Sequence, residues 1–377
     1  MDSMRHDKKT IILRICLLLA LLLIVTSCTP TIPKEPPKNM EQGEKEGVEQ
    51  ETIEEVEEKE EMIDQENKDE EVDSPAVEID YQQIQPNEIG HIMVVMYHGI
   101  MDTPPYHRTE EDFWKDLKYM YDHNYRPISI QDYVKQNITI EAGYTPIVLT
   151  FDDGLPSTFS LIEENGELKA DPHCAVGIME RFSETYPDFK ARATFYINGH
   201  DPFEGAGSVK DRFEYLIERG YDISNHTDTH ADLASLNAEE IQKEIGKVDA
   251  MIKGILTDYS MDTFSYPFGK RPKEELRKWI GAGSYEGHEY TYQMAFREGP
   301  SGPFVPPIHT QFEFYNVPRV RGSEGAEGDL WWYFDFYEKN PKQRYISDGN
   351  PNRIAVPEGK ESNIQVEALQ GKEIYTY

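Results

Sequence analysis

Two short segments carry residue types suited to metal-assisted chemistry. Thr150-Phe151-Asp152-Asp153-Gly154 sets two carboxylates side by side, and further on His226-Thr227-Asp228-Thr229-His230 sets two imidazoles four apart. Two imidazoles and one carboxylate leave an open position on a tetrahedral zinc ion, the ligand count of a catalytic site rather than a structural one. The second carboxylate is then free to take a proton from water. That combination points to metal-dependent hydrolysis.

Something must hold these groups together. Pro146-Ile147-Val148-Leu149-Thr150-Phe151 is apolar and rich in branched residues, so it reads as a buried strand. The acidic pair then lies at its C-terminal end, where α/β folds assemble their chemistry. Neighbouring side chains of an extended strand point to opposite sides, so the bend that Gly154 permits is needed to bring both acids to one site. For His226 and His230, one helical turn would set both rings on the same face.

The T-F-D-D-G and H-T-D-T-H segments, in this order, resemble the first two motifs of the polysaccharide deacetylases, the carbohydrate esterase family with the NodB homology domain. The likeness spans roughly Ile92 to Arg321. It implies an incomplete, distorted (β/α) barrel of about seven parallel strands. It also implies that Asp153, His226 and His230 bind one divalent metal, most simply zinc, with Asp152 as general base. The third motif of that family contains an Arg and ends in Pro-[Tyr/Phe]-Gly. Here the segment is Phe264-Ser265-Tyr266-Pro267-Phe268-Gly269, with Ser265 where the Arg belongs. The resemblance assigns the backbone N–H of Phe268 to the oxyanion. The missing Arg leaves the support of Asp152 to another group, with Lys270 and Arg271 as candidates. The F-x-Y-P-F-G form, together with Tyr97-His98, is similar to the branch acting on poly-N-acetylglucosamine. His98 and Tyr266 are therefore expected in the substrate groove. Arg319, in the late strand Val317–Arg321, is expected to face an active-site carboxylate. The family's segment carrying the general-acid histidine is not present after Gly269, so His309 is the first candidate for the acid and His288 the second.

The rest of the chain alternates strands and helices, as parallel βαβ units do. Short strands are expected at Ile92–Met96, Pro127–Ile130, Ala193–Ile197 and Thr263–Tyr266, with helices over Glu110–His123, Arg212–Arg219 and Ala238–Ile255. Leu155 to Lys190 is long for a connection between two strands and reads as an insertion near the groove. Trp331-Trp332-Tyr333-Phe334 is expected to pack in the core. Ile354-Ala355-Val356 and Ile364-Gln365-Val366 suggest a terminal β-hairpin.

The first 87 residues have a different texture. Arg5, Lys8, Lys9 and Arg14 precede the apolar run Ile15 to Val25, and Val25-Thr26-Ser27-Cys28 resembles a bacterial lipobox. Residues 1–28 are therefore expected as a lipoprotein signal, with a lipid on Cys28 fixing the protein to the extracellular face of the cell membrane. Between Glu41 and Asp73 stand 17 acids and three lysines, in a chain of net charge −32. So dense a block of like charge buries nothing and stays solvated, so residues 29–87 are expected as a disordered tether. The acidity also argues against a nucleic-acid partner. Of three cysteines, Cys16 leaves with the signal and Cys28 carries the lipid, so Cys174 is left without a disulfide partner. The catalytic domain is expected over 88–325 and a C-terminal extension over 326–377. The function expected is removal of acetyl groups from N-acetylglucosamine units of an acetylated polysaccharide. A lipid-anchored glycan-binding protein that has lost turnover is the alternative. Cys28→Ser is expected to move the protein out of the membrane fraction or block its processing, as fractionation and blotting would report.

Overall fold

The computed structural model describes residues 79–103, 106–299 and 301–377. The expected signal, Cys28 and the tether up to residue 78 lie outside the described residues. Eight strands form the main sheet: β1 (Met93–Tyr97), β2 (Tyr125–Pro127), β3 (Thr145–Phe151), β4 (Thr194–Ile197), β5 (Asp222–Asn225), β6 (Thr263–Ser265), β7 (Met294–Glu298) and β8 (Val317–Arg321). All of their pairings are parallel. β1 pairs with β8 on one edge, Val95 opposite Val320, and with β3 on the other, Val95 opposite Leu149. That double pairing closes a seven-stranded ring in the order β1-β8-β7-β6-β5-β4-β3. β2 stays outside the ring. It holds the first half of one β3 edge, with Tyr125 opposite Thr145, and β4 takes over that edge at Thr150. The architecture is the seven-stranded (β/α) barrel that the motif resemblance implies.

The residues explain the closure. β1 and β3 are buried at every position, because one face lines the barrel interior and the other lies under helices. The helices include α1 (Glu110–Asp122), α2 (Ala175–Thr185), α3 (Val209–Glu218), α4 (Ala238–Ile255) and α5 (Leu330–Lys339). The starts of α1, α3 and α4 are fixed by side chains. Thr109 caps α1, and reciprocal capping boxes, Ser208 with Asp211 and Asn237 with Glu240, open α3 and α4. The stripe Ile241, Ile245, Val248 and Ile252 of α4 is wholly buried. The expected insertion holds a hairpin, Leu161–Glu164 with Glu167–Ala170, followed by α2. Cys174 is buried at the N-cap of α2, and burial pushes its thiol up to about 11, so it is no nucleophile.

Residues 326–377 are part of this body. The rings of Phe334 and Tyr119 stack at 4.2 Å, and the Trp331 indole N–H donates to Asp116 at 2.7 Å, which joins α5 to α1 as core packing. The tail corrects the expected hairpin. Arg353–Val356 pairs in parallel with Glu373–Thr376, and the Ile364 side chain joins Ile89, Ile308, Ile354 and Val356 in a separate apolar cluster. Burial in that cluster, rather than a strand ladder, claims Ile364, and Val366 is left exposed. The tether boundary at 87 is also corrected. Tyr81–Ile84 is already a helix, and Asn87 and Glu88 donate their N–H groups to Ile346 and Ala355. Ile354→Ala would hollow this cluster and is expected to lower stability by about 2–5 kcal/mol, read by chemical denaturation.

Candidate active site

The acidic pair sits where β3 leaves the barrel. Asp152 still follows the strand, its N–H donating to the Tyr97 carbonyl at 3.0 Å. The chain then reverses. Asp153 has φ +74° and Gly154 +66°, so the bend begins at the second Asp itself, and the two carboxylates leave in different directions. Asp153 Oδ1 lies 3.6 Å from His226 Nε2 and 3.5 Å from His230 Nε2. Ligand atoms from these three residues all fall within 4.8 Å of one another, the span of a mononuclear metal site.

The two histidines are not on a helix, which corrects the helical reading of their spacing. They occupy the loop after β5, and Thr227 (φ +70°) and His230 (φ +54°) fold it so that the ring centroids stand 5.0 Å apart. Buried side chains hold that loop. The Thr227 N–H donates to Asn225 Oδ1 at 2.8 Å, and Asn198 Nδ2 donates to the carbonyls of His226 and Thr227 at 2.8 and 3.0 Å. Asp228 points away and takes Lys247 at 2.7 Å. His226 Nδ1 faces the Ser265 carbonyl at 2.9 Å, so the proton belongs on Nδ1 and the Nε2 lone pair faces Asp153. Burial also lowers the pKa of this imidazole, which keeps it neutral as a ligand must be.

Asp152 is held by Arg319. Both are buried, and the guanidinium meets the carboxylate with two parallel bonds, Nη1 to Oδ1 at 2.7 Å and Nη2 to Oδ2 at 2.6 Å. Arg319 donates as well to Ser265 Oγ at 2.7 Å and Thr150 Oγ1 at 3.1 Å. Burial alone would raise the Asp152 carboxyl, but the charge of the Arg319 guanidinium and its hydrogen bonds outweigh it and hold the group well below the usual carboxylate range. The support missing from the third motif thus arrives from β8, and Ser265 leaves room for it and receives one of its bonds. Arg319 is a support of Asp152, not a substrate contact. Arg319, and not Lys270 or Arg271, is therefore the supporting cation, and Lys270 is engaged with Asp232 at 2.6 Å.

The remaining expected residues separate. His98 directly follows β1, its Nδ1 is buried without a partner, and the pairing of Tyr97 with Phe151 sets it beside Asp152 where the two strands end. Phe268 sits at φ +57° with its ring 56% exposed and 4.4 Å from the His230 ring. Tyr266 corrects its assignment to the groove. It is buried against Phe264 and donates to the Tyr315 carbonyl at 3.0 Å. His309 corrects the first choice of acid. It lies beside His91, ahead of β1, and Ile92 there bonds to Phe304, so His309 is at the N-terminal end of the barrel. The acids stand at the C-terminal end, about 15 Å away along strands of this length. His288 is displaced too. It belongs to the hairpin Ala282–Tyr285 with His288–Thr291, and its Nε2 meets Asp249 of α4 at 2.6 Å.

Arg319→Met would leave a buried carboxylate unpaired and is expected to cost about 3–5 kcal/mol in a denaturant titration at neutral pH. Because the folded-state pKa of Asp152 is depressed, the pair's contribution is fully present above the unfolded carboxylate value of about 3.9 and is lost as pH falls below it. The difference between wild type and variant should therefore narrow in acid.

Residues 140–282, which contain both acids, both loop histidines and Phe268, match the family model for polysaccharide deacetylase. Over 110 residues the chain is 32% identical to a chitooligosaccharide deacetylase of Rhizobium leguminosarum bv. trifolii, a match spanning 28% of this chain and 39% of that protein. The chain thus spans about two fifths of that relative's length. Among solved structures, the polysaccharide deacetylase BA0330 of Bacillus anthracis aligns with a TM-score of 0.48 at 20% identity, over 65% of this chain and 68% of that one. IcaB of Ammonifex degensii aligns with a TM-score of 0.45 at 17% identity, over 62% and 91%. Residues 140–282, the segment that carries the acidic pair and the loop histidines, are thus similar to the polysaccharide deacetylase domain.

Proposed function

We propose that the domain is a metal-dependent hydrolase that removes acetyl groups from N-acetylglucosamine units of a cell-surface or extracellular polysaccharide. The observation that carries this reading is the convergence of Asp153, His226 and His230 beside a second acid, Asp152, kept ionised by Arg319. Two neutral imidazoles and one carboxylate suit zinc. A divalent ion held there would polarise the acetyl carbonyl and acidify a water molecule.

The chain's own groups divide the rest. Asp152 takes the proton from water, and its two bonds to Arg319 fix its direction and keep it off the ligand set. The Phe268 N–H, at the turn after β6, serves the oxyanion. With His309 and His288 both away from the barrel mouth, the proton for the leaving amine falls to His98, which stands at the end of β1. A binder without turnover has less to recommend it than the sequence suggested, because Arg319 supplies the cation whose absence motivated it. Anchoring through a lipid on Cys28, at the outer face of the cell membrane, is proposed on the lipobox alone.

His226→Ala is expected to lose the bound ion, measured as metal per protein by mass spectrometry. Asp152→Asn should keep the ion and lose acetate release from acetylated glycans. His98→Ala should keep the ion and slow turnover by about 10²–10⁴-fold. His309→Ala should change neither, and a variant of His98 with wild-type rates would refute its role.

A further inference from the structure

A cavity of about 830 Å³ opens away from the acidic pair. Ile89 and His91, just ahead of β1, and Gly143, just ahead of β3, are in its wall, which puts it at the N-terminal end of the barrel. Most of the wall comes from three segments distant in the chain, 81–91, 303–311 and 341–363, so only the closed barrel forms it. Its size falls within the ordinary range of small-molecule sites. The proposed hydrolysis makes no use of it.

The wall is unlike the rest of the chain. Asp and Glu outnumber Lys and Arg by 70 to 38 overall, yet none of the 22 residues lining the cavity is acidic. Lys342 and Lys360 are among them and both are exposed, and four glutamines add neutral amides that donate and accept. His309 supplies a second observation. The residue is only 8% exposed, and its Nδ1 accepts the Gln311 N–H at 3.0 Å, so the ring proton sits on Nε2. Among the described residues no group accepts from that Nε2–H, and the open space that His309 lines is the cavity. Burial, with the charge of Lys360 adding to it, lowers the pKa of this imidazole, so it is a neutral donor. A buried donor without an acceptor is costly, and an oxygen of a bound molecule would satisfy it.

Ammonium groups and an imidazole N–H, with no carboxylate in the wall to neutralise them, select negative charge. The amides suit hydroxyl groups, which donate and accept in the same way. We propose that this cavity is a second binding site, for a small hydroxylated anion of the sugar-phosphate or sugar-acid kind, with its charged group at Lys360 and the His309 Nε2–H. The site lies at the other end of the barrel from the candidate metal cluster. It stands independently of the activity proposed above.

Titration calorimetry of the full-length protein with glucose 6-phosphate, glucuronate, glucose and inorganic phosphate tests this directly. At least one of the two charged sugars should bind about tenfold or more tightly than both glucose and inorganic phosphate, and which one does so names the anionic group. His309→Ala and Lys360→Glu should each weaken that binding by about tenfold or more, because each removes a donor to the charged group. Lys360→Arg should retain it, which separates lost charge from lost fold. His226→Ala, which disrupts the candidate metal cluster, should bind the charged sugar as the wild type does. No binding of either charged sugar, equal binding of glucose or of inorganic phosphate, or affinity untouched by both His309→Ala and Lys360→Glu would overturn the site. Loss of binding in His226→Ala would overturn it too, by moving the anion to the barrel mouth.

Discussion

A guanidinium sealed from solvent faces a carboxylate sealed from solvent, and the barrel mouth is arranged around that pair. Two buried charges lose several kcal/mol of hydration each, so Arg319 and Asp152 are tolerable together and costly apart. Arg319 cannot discharge itself, since its pKa lies far above any working pH. Its two bonds to Asp152, with Ser265 and Thr150 taking further donors, fix the carboxylate's charge and direction at once. A carboxylate so restrained is kept apart from the Asp153, His226 and His230 cluster, although His226 Nε2 is only 3.8 Å from Asp152 Oδ2. The positive φ of Asp153 completes the division. One turn in the chain sends two adjacent, chemically identical residues in different directions, as the proposed division into base and ligand requires.

Much of this was legible in the sequence where a role depends on neighbours along the chain. The strand before Asp152 announces itself by its branched apolar run, and the helices by their periodicity and caps. The metal set is a local pattern repeated at two places. What escaped depends on contacts between distant segments. Arg319 lies well over a hundred residues from Asp152, and only barrel closure through the β1–β8 and β1–β3 ladders makes them neighbours. Its strand, Val317–Arg321, and a carboxylate partner for its central arginine are expected from the sequence, but not which acid it meets nor that it fills the place of the missing third-motif Arg. The spacing of His226 and His230 suggested a helix, because four residues is one turn. The loop reaches the same convergence through two left-handed residues, which nothing in the spacing encodes. The acid was sought late in the chain because chain order was the only guide. A barrel sorts histidines by the end they occupy, and that places His98 near Asp152 and His309 far from it.

The opposite end of the barrel does a different task. Residues 81–91 and 341–377 close it together, and the Glu88 carboxylate is buried at their junction, accepting backbone N–H groups from Asp348 and Ala355 at 3.2 and 2.8 Å. Burial pushes this group up to about 8, with the charge of Asp348 adding to the effect. The contrast with Asp152 is instructive. Both are buried acids, but one has a guanidinium and stays ionised, and the other has amide donors and a neighbouring acid and is driven toward neutrality. The acidic pair and the loop histidines stand at the C-terminal rim, and the two chain segments pack together at the N-terminal one.

The central claim is that adjacent acids have separate tasks because Arg319 claims the first. The most direct measurement is a crystal structure of the zinc-loaded protein with the ion located by anomalous scattering at its absorption edge. The account predicts one ion bound by an Asp153 oxygen and the Nε2 atoms of His226 and His230, with Asp152 still doubly bonded to Arg319 and off the ion. An ion ligated by Asp152, with Arg319 released from it, would contradict the account.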